Sequence, residues 1–227
     1  MKSLSWILLV GVLCAVGCKD DPAPATSAFT SHPDALAAEN LKSGGIYKGV
    51  LVGSSGFLVV VLQSGKKEIR VTVDGESRTL ATDGLTSWVS GTLIKPTVFT
   101  SGDWSVSFSV GPEGQSPSIS LNIAGHAGAE AVILKELSTD QVRIYEGSYS
   151  GSETGTWNFV VQGPVLSGVS RNTSDSSTTT FYGLVSEGKI TLEPPITGSG
   201  TFSVDDVSGT WQTDTSVSGT WTGKRVM

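Results

Sequence analysis

The chain predicts an all-β protein, an antiparallel barrel or sandwich, from three observations. Apolar and polar residues alternate strictly in Trp104-Ser105-Val106-Ser107-Phe108-Ser109-Val110. That period of two marks a strand with one buried face. Short strands of this kind recur about every 8–12 residues, separated by Gly, Asp or Ser, as in sandwiches and barrels. Charged residues make up only 16% of the chain, below the roughly 25% of an ordinary soluble domain. Gly, Ser and Thr fill their place.

The elements follow in chain order. Lys2 gives a positive start, Leu4 to Val16 is an uncharged apolar run, and Ala15-Val16-Gly17 leads into Cys18. Residues 1–17 thus have the three-part build of a secretory signal. The apolar run is about 13 residues, short of the roughly 20 a membrane span needs. The tripeptide before Cys18 resembles the lipobox of bacterial lipoproteins. The resemblance implies cleavage between Gly17 and Cys18, and attachment to a membrane through acyl chains on Cys18. A plain secretory signal cut near Ala15, leaving Cys18 as a free thiol, is the alternative. Lys19 stands where an aspartate would resemble the inner-membrane retention signal of enterobacterial lipoproteins. Lys19-Asp20-Asp21 resembles the short acidic surface-export signal of some Bacteroidota lipoproteins. Together these imply the outer membrane, facing either the periplasm or the exterior.

Residues 18–45 read as the lipidated cysteine and a tether. Its start, Asp20 to Ser27, is acidic and rich in Pro and Ala, which favours extended chain over packing. Ser31-His32-Pro33-Asp34 then offers a helix start. Ala35 to Lys42 is helix-prone and Gly44-Gly45 would stop it, so a short helix is expected, with disorder as the alternative.

From Ile46 onward the pattern is β. Ile69-Val71-Val73 opposes Arg70-Thr72-Asp74, Ile119-Leu121-Ile123 opposes Ser118-Ser120-Asn122, and Trp157-Phe159-Val161 marks another inward row. Phe57 to Leu62 is apolar throughout and should be buried on both faces. Ala129 to Leu137 contains good helix formers, yet β-branched Val132-Ile133 and the β surroundings favour a closing strand. Asp74-Gly75, Asp83-Gly84 and Asp205-Asp206 are turn signals. Asn172 to Thr180 reads as a polar loop.

Two repeats stand out. Ile46-Tyr47-Lys48-Gly49 returns as Ile144-Tyr145-Glu146-Gly147. Gly56-Phe57 follows the first copy, and Gly155 and Trp157 the second. This divides the folded part into a first β module at 46–138 and a second at 139–227, each of seven or eight strands, packed together because no linker separates them. One larger sandwich is the alternative. A finer Ser-Gly-Thr motif occurs at Ser90-Gly91-Thr92, Ser208-Gly209-Thr210-Trp211 and Ser218-Gly219-Thr220-Trp221, with Gly155-Thr156-Trp157 related. Gly permits close approach, Thr suits a strand and Trp fills a core. The stretch from Glu146 to Arg225 resembles antiparallel barrel modules of bacterial surface lipoproteins, and in style the meander of avidin-type and lipocalin-like barrels.

Candidate chemistry is sparse. The formal charge is −6, and losing Lys2 with the leader would make it −7. No basic cluster exceeds Lys66-Lys67, so nucleic acid is not an expected partner. Cys14 and Cys18 are the two cysteines, so the folded part has none for a disulfide, a thiolate metal site or a nucleophile. No cofactor or metal site is indicated. His126 lies in a Gly-rich turn, and no serine sits in a G-x-S-x-G elbow. Glu146 and Glu153 are a conceivable acid pair, since glycosidase chemistry needs two carboxyls about 5–10 Å apart in one cleft. Trp88, Trp104, Trp157, Trp211 and Trp221, with Tyr47, Tyr145, Tyr149 and Tyr182, either line a ligand pocket or fill the core.

These readings describe a non-catalytic, lipid-anchored envelope lipoprotein that binds or scaffolds, with an envelope protein or a small apolar ligand as partner. A calycin-like carrier of a small apolar ligand is the first alternative and an envelope glycan hydrolase the second. Cys18→Ser is expected to release the protein from the membrane fraction or leave its precursor uncut. A mature, membrane-bound Cys18→Ser protein, seen by fractionation and intact mass, would refute the lipobox reading.

Overall fold

In the computed structural model, residues 29–52, 56–203 and 205–227 are described. The leader, Gly17 and Cys18 lie outside them. Sixteen strands form two eight-stranded antiparallel sheets packed together. The first sheet contains β1 (Gly45–Val52), β2 (Gly56–Leu62), β3 (Glu68–Val73), β4 (Glu76–Ala81), β5 (Ile94–Ser101), β6 (Trp104–Val110), β7 (Ser118–Asn122) and β8 (Glu130–Glu136). It is a meander in which β8 returns to pair with β1, giving the order β7-β6-β5-β4-β3-β2-β1-β8. The second contains β9 (Val142–Gly151), β10 (Gly155–Gln162), β11 (Val165–Asn172), β12 (Thr178–Ser186), β13 (Lys189–Glu193), β14 (Ile196–Ser203), β15 (Asp206–Thr213) and β16 (Ser218–Arg225). Here β16 pairs with β9 and the barrel closes.

Alternation decides which way each strand faces. In β6, Trp104, Val106, Phe108 and Val110 are buried and the serines between them are not. In β2, Leu58, Val60 and Leu62 enter the first core while Val59 and Val61 pack outward. That strand is apolar on both faces because its outer face belongs to the junction between the sheets. The junction core joins Val50, Phe57 and Val132 of the first sheet to Val142, Ile144 and Val160 of the second. Asp74-Gly75 forms the two-residue β3–β4 hairpin, both residues at positive φ, 47° and 83°, as a type I′ turn requires. Within the Ala129–Leu137 stretch, Glu130–Glu136 form strand β8 rather than a helix, and each sheet has eight strands where seven or eight are expected.

The recurring Ile-Tyr motif opens the first strand of each sheet. Tyr47 and Tyr145 are both fully buried, opposite Val60 and Phe159 respectively. The register corrects one correspondence. Gly49 opposes Leu58 as Gly147 opposes Trp157, so Leu58 is the equivalent of Trp157. Phe57 points instead toward the junction.

The expected helix over 35–42 is a single 3₁₀ turn, Ala37–Glu39, whose N-terminal residue Leu36 makes no side-chain cap. The groups that would start a helix are engaged elsewhere. The Asp34 backbone N–H donates to Glu136 Oε1 and the Leu36 N–H to Gln63 Oε1, while the Asp34 carboxylate accepts from Lys48 Nζ at 2.9 Å. Within the expected Asn172–Thr180 loop, Thr178–Thr180 already belong to β12.

Lys48 is 1% exposed and Glu136 is fully buried. Their charged ends are 2.7 Å apart. Glu136 Oε2 also accepts the Val142 N–H at 3.0 Å. One carboxylate thus ties the N-terminal segment, β1 and the start of β9. Removing one partner of such a pair leaves a buried charge uncompensated, which costs about 3–5 kcal/mol. Lys48→Met should lower stability by about that amount in denaturant titration, and Lys48→Met with Glu136→Leu should lower it less. A loss below about 1 kcal/mol for the single variant would refute the role given to this pair.

Candidate functional site

The interior of the second barrel is built on aromatic residues facing glycines. Trp157 stands opposite Gly147, Tyr149 opposite Gly155, Trp211 opposite Gly219, and Trp221 opposite Gly209. Each large side chain lies across a neighbouring strand where a Cβ would collide with it. A Cβ on Gly147 would come within 2.5 Å of Trp157 Cζ2, and one on Gly209 within 2.5 Å of Trp221 Cζ2. A Cβ on Gly219 would meet Trp211 Nε1 at 2.6 Å. The Gly-Thr-Trp repeat is therefore a packing code. In β15 and β16 its glycine receives the tryptophan of the adjacent strand, while threonine faces outward.

The three indole N–H groups are used within the wall. Trp157 Nε1 donates to Ser148 O at 3.0 Å, Trp211 Nε1 to Ser150 O at 3.3 Å, and Trp221 Nε1 to Thr210 O at 3.1 Å. Trp157 stacks on Phe159 with centroids 4.7 Å apart. Trp221 meets Trp157 edge-on at 5.6 Å, and Tyr149 meets Trp211 likewise at 5.5 Å. The stacked pair is nearly parallel and the two edge-on pairs cross at near right angles, both favoured aromatic geometries.

Below this layer the barrel is filled. Tyr145 packs on Phe202 at 5.2 Å, and the Arg143 guanidinium lies 5.8 Å from the Phe202 ring. Burial pushes the Tyr145 hydroxyl above its ordinary range, against the pull of Arg143 and Arg225. Above the layer the barrel is open. A cavity of about 280 Å³ remains, with Trp157, Phe181, Leu192, Ile196, Trp211 and Trp221 in its wall. Its rim comes from strand-connecting segments at one end, with Glu153 between β9 and β10, Ser177 between β11 and β12, and Asp214 and Thr215 between β15 and β16. Glu153 accepts a hydrogen bond from Asn172 Nδ2 at 3.0 Å. Burial, then the charges of Glu153 and Asp175, push the Tyr149 hydroxyl upward.

The structure sorts the five candidate tryptophans into two groups. Trp157, Trp211 and Trp221 border the cavity while also belonging to the barrel core. Trp104 is buried in the first core, its ring 4.3 Å from the Arg78 guanidinium, and Trp88 packs against that core from the segment between β4 and β5. Tyr149 joins the cavity, Tyr47 and Tyr145 are core, and Tyr182 faces outward, half exposed. Phe181, Leu192, Ile196 and Asp214 were not singled out from sequence. Strand parity would have marked the first three as inward, and only barrel closure brings Asp214 to the rim.

Glu146 and Glu153 do not form an acid pair. Glu153 is on the cavity rim, whereas Glu146 follows inward-facing Tyr145 and lies on the outer face. Burial, then the nearby Asp74 carboxylate of the first sheet, push the Glu146 carboxyl above its ordinary value. His126 is half-buried, its Nδ1 3.9 Å from Asp74 Oδ2. Among the described residues no group of three or more His, Cys, Asp or Glu is placed to hold a metal ion, and no helix is long and apolar enough to cross a membrane.

No protein-family model and no curated protein matches the chain. Among solved structures, the chain is similar to one described as a surface lipoprotein, at 10% identity and a TM-score of 0.31, with 79% of this chain and 98% of that one covered. It is also similar to a point mutant of the vaccine antigen transferrin binding protein B from Actinobacillus pleuropneumoniae H49, at 11% identity, a TM-score of 0.31 and the same coverage. What this site can hold follows from its own geometry: a closed antiparallel barrel, solid at one end, with an aromatic cavity at the other.

Gly209→Ala should lower stability by about 1–3 kcal/mol, the usual cost of overpacking. Thr210→Ala, one residue along on the exposed face, should change it by about 0.5 kcal/mol or less. Equal effects in thermal or denaturant melts would contradict the facing of glycines and rings described above.

Proposed function

We propose that this chain is a non-catalytic, lipid-anchored binding protein of the bacterial envelope, held at the outer membrane through Cys18. Its second module, 139–227, takes a small apolar ligand at the open end of the barrel. The cavity of about 280 Å³ carries this reading. It lies near the lower end of the size range of small-molecule sites, and such sites combine apolar walls with a few polar groups, as this one does. The first module, 46–138, serves as a scaffold, because its interior is a continuous apolar core from Tyr47 to Ile133. The signal-like leader and the acidic, Pro-rich residues after Cys18 support export and anchoring. The separation of Glu146 from Glu153 removes the residue pair on which a glycan hydrolase reading rested.

Native mass spectrometry tests this on residues 19–227, purified and exposed to an envelope extract. Residues 30–34 must be kept, because Thr30 O accepts from Arg225 and Gln141, and Asp34 pairs with Lys48. A reproducible small-molecule adduct, lost when Trp221→Phe and Phe181→Leu are combined, is the expected result. A clean apo mass across extracts would overturn the small-ligand reading and leave binding through the outer surface.

A further inference from the structure

Resting on the reading of the cavity as a ligand site, we infer that its ligand is a small organic cation, an alkylated ammonium with an apolar body. Three features of the site converge on this class. The wall is aromatic, and the N–H groups of its three indoles are already donated to Ser148, Ser150 and Thr210 carbonyls. What these rings leave for a ligand is carbon and π density, with no indole donor for an anion or a carbonyl. The rings are also set edge to face, Tyr149 on Trp211 at 82° and Trp157 on Trp221 at 88°. Edge-on contacts of this kind hold the rings in place along the cavity wall, and a cation is attracted to an aromatic face within about 6 Å of its centroid.

The charge of the rim is the third feature. The cavity lining includes two carboxylates, Glu153 and Asp214, and no Lys, Arg or His. The Glu153 carboxylate is oriented by Asn172. Asp175, just outside the lining, is fixed by Ser177, whose N–H and Oγ both bond its Oδ1. A neutral apolar ligand needs none of this charge. An anionic one would be repelled by it, a repulsion that salt would screen because these carboxylates are exposed. Burial first, and then the charges of Glu153 and Asp175, push the Tyr149 hydroxyl upward, which places both carboxylates near a ring of this layer.

The test uses the full chain in phosphatidylglycerol nanodiscs, which contain no choline. Tryptophan fluorescence is followed during titration with choline and with 3,3-dimethylbutanol, its uncharged isostere. Choline should bind about tenfold more tightly, a difference of about 1.4 kcal/mol, which lies within the range of a cation–π contact. The Glu153→Gln, Asp214→Asn double variant should narrow that preference several-fold, and added salt should narrow it too, because the rim is solvated. These two side chains lie on connecting segments at the surface, so the fold should survive, as an unchanged thermal melt would show. Equal or tighter binding of the isostere would overturn the cation inference while leaving the cavity as a ligand site. Binding of neither would also overturn the cation inference, and the adduct test with envelope extracts would then decide the cavity reading separately.

Discussion

The second barrel depends on one steric constraint: a large ring can lie flat across an adjacent strand only where that strand has no Cβ. Eight strands closed on themselves enclose just enough room for side chains. Three tryptophans and several other rings exceed that room unless other inward positions are empty. Gly147, Gly209 and Gly219 supply the vacancies, each opposite a ring in register. With the rings lying along the wall, the indole N–H groups reach backbone oxygens there, so burying them leaves no donor unpaired. The same tilt keeps the upper lumen from being filled. Packing and cavity are two results of one arrangement.

The first sheet solves closure differently. Its interior is dominated by Val, Leu, Ile and Phe with few facing glycines, and it is filled from Tyr47 to Ile133. Its strands β7 and β8 are not hydrogen-bonded to each other, and β4 meets β5 through one residue pair, Ala81 and Thr100. It gains support from its outer face. The apolar side of β2, the Asn158 amide donating to Leu51 O, and the Glu136 carboxylate accepting the Val142 N–H all join it to the closed barrel. Position three of the repeat has a different role in each half. Lys48 is buried as part of a clamp, and its counterpart Glu146, three residues into the matching motif, is a half-buried acid beside Asp74.

Much of the architecture is legible because strand periodicity is local information. Alternation orients β3 and β6, double-sided apolarity places β2 at a junction, and Asp74-Gly75 fixes a turn. The misread elements all involve distant partners. Ala35–Lys42 has helix propensity, but Asp34 and Leu36 are held by Glu136 and Gln63, residues far along the chain. Five tryptophans look alike in sequence, since parity distinguishes inside from outside but not a filled interior from an open one. Phe57 looks like the partner of Trp157 by spacing, and only the register reveals Leu58 in that place. Asp214 resembles any turn acid until closure brings β15 and β16 beside β9.

The first described residues meet the C-terminal strand. The Arg225 side chain donates to Thr30 O and to Met227 O, and its guanidinium lies 5.2 Å from the Phe29 ring. Met227 packs near Ile46 and Ala35. Arg225 ends β16 at the filled floor of the barrel, while Ser218, at the strand's other end, borders the open side. Phe29 and Thr30, where the described residues begin, thus sit beside the floor, at the end opposite the cavity. The barrel's two ends are therefore unlike: one is closed over by the chain segments that meet there, and the other, with its cavity, is left clear of them.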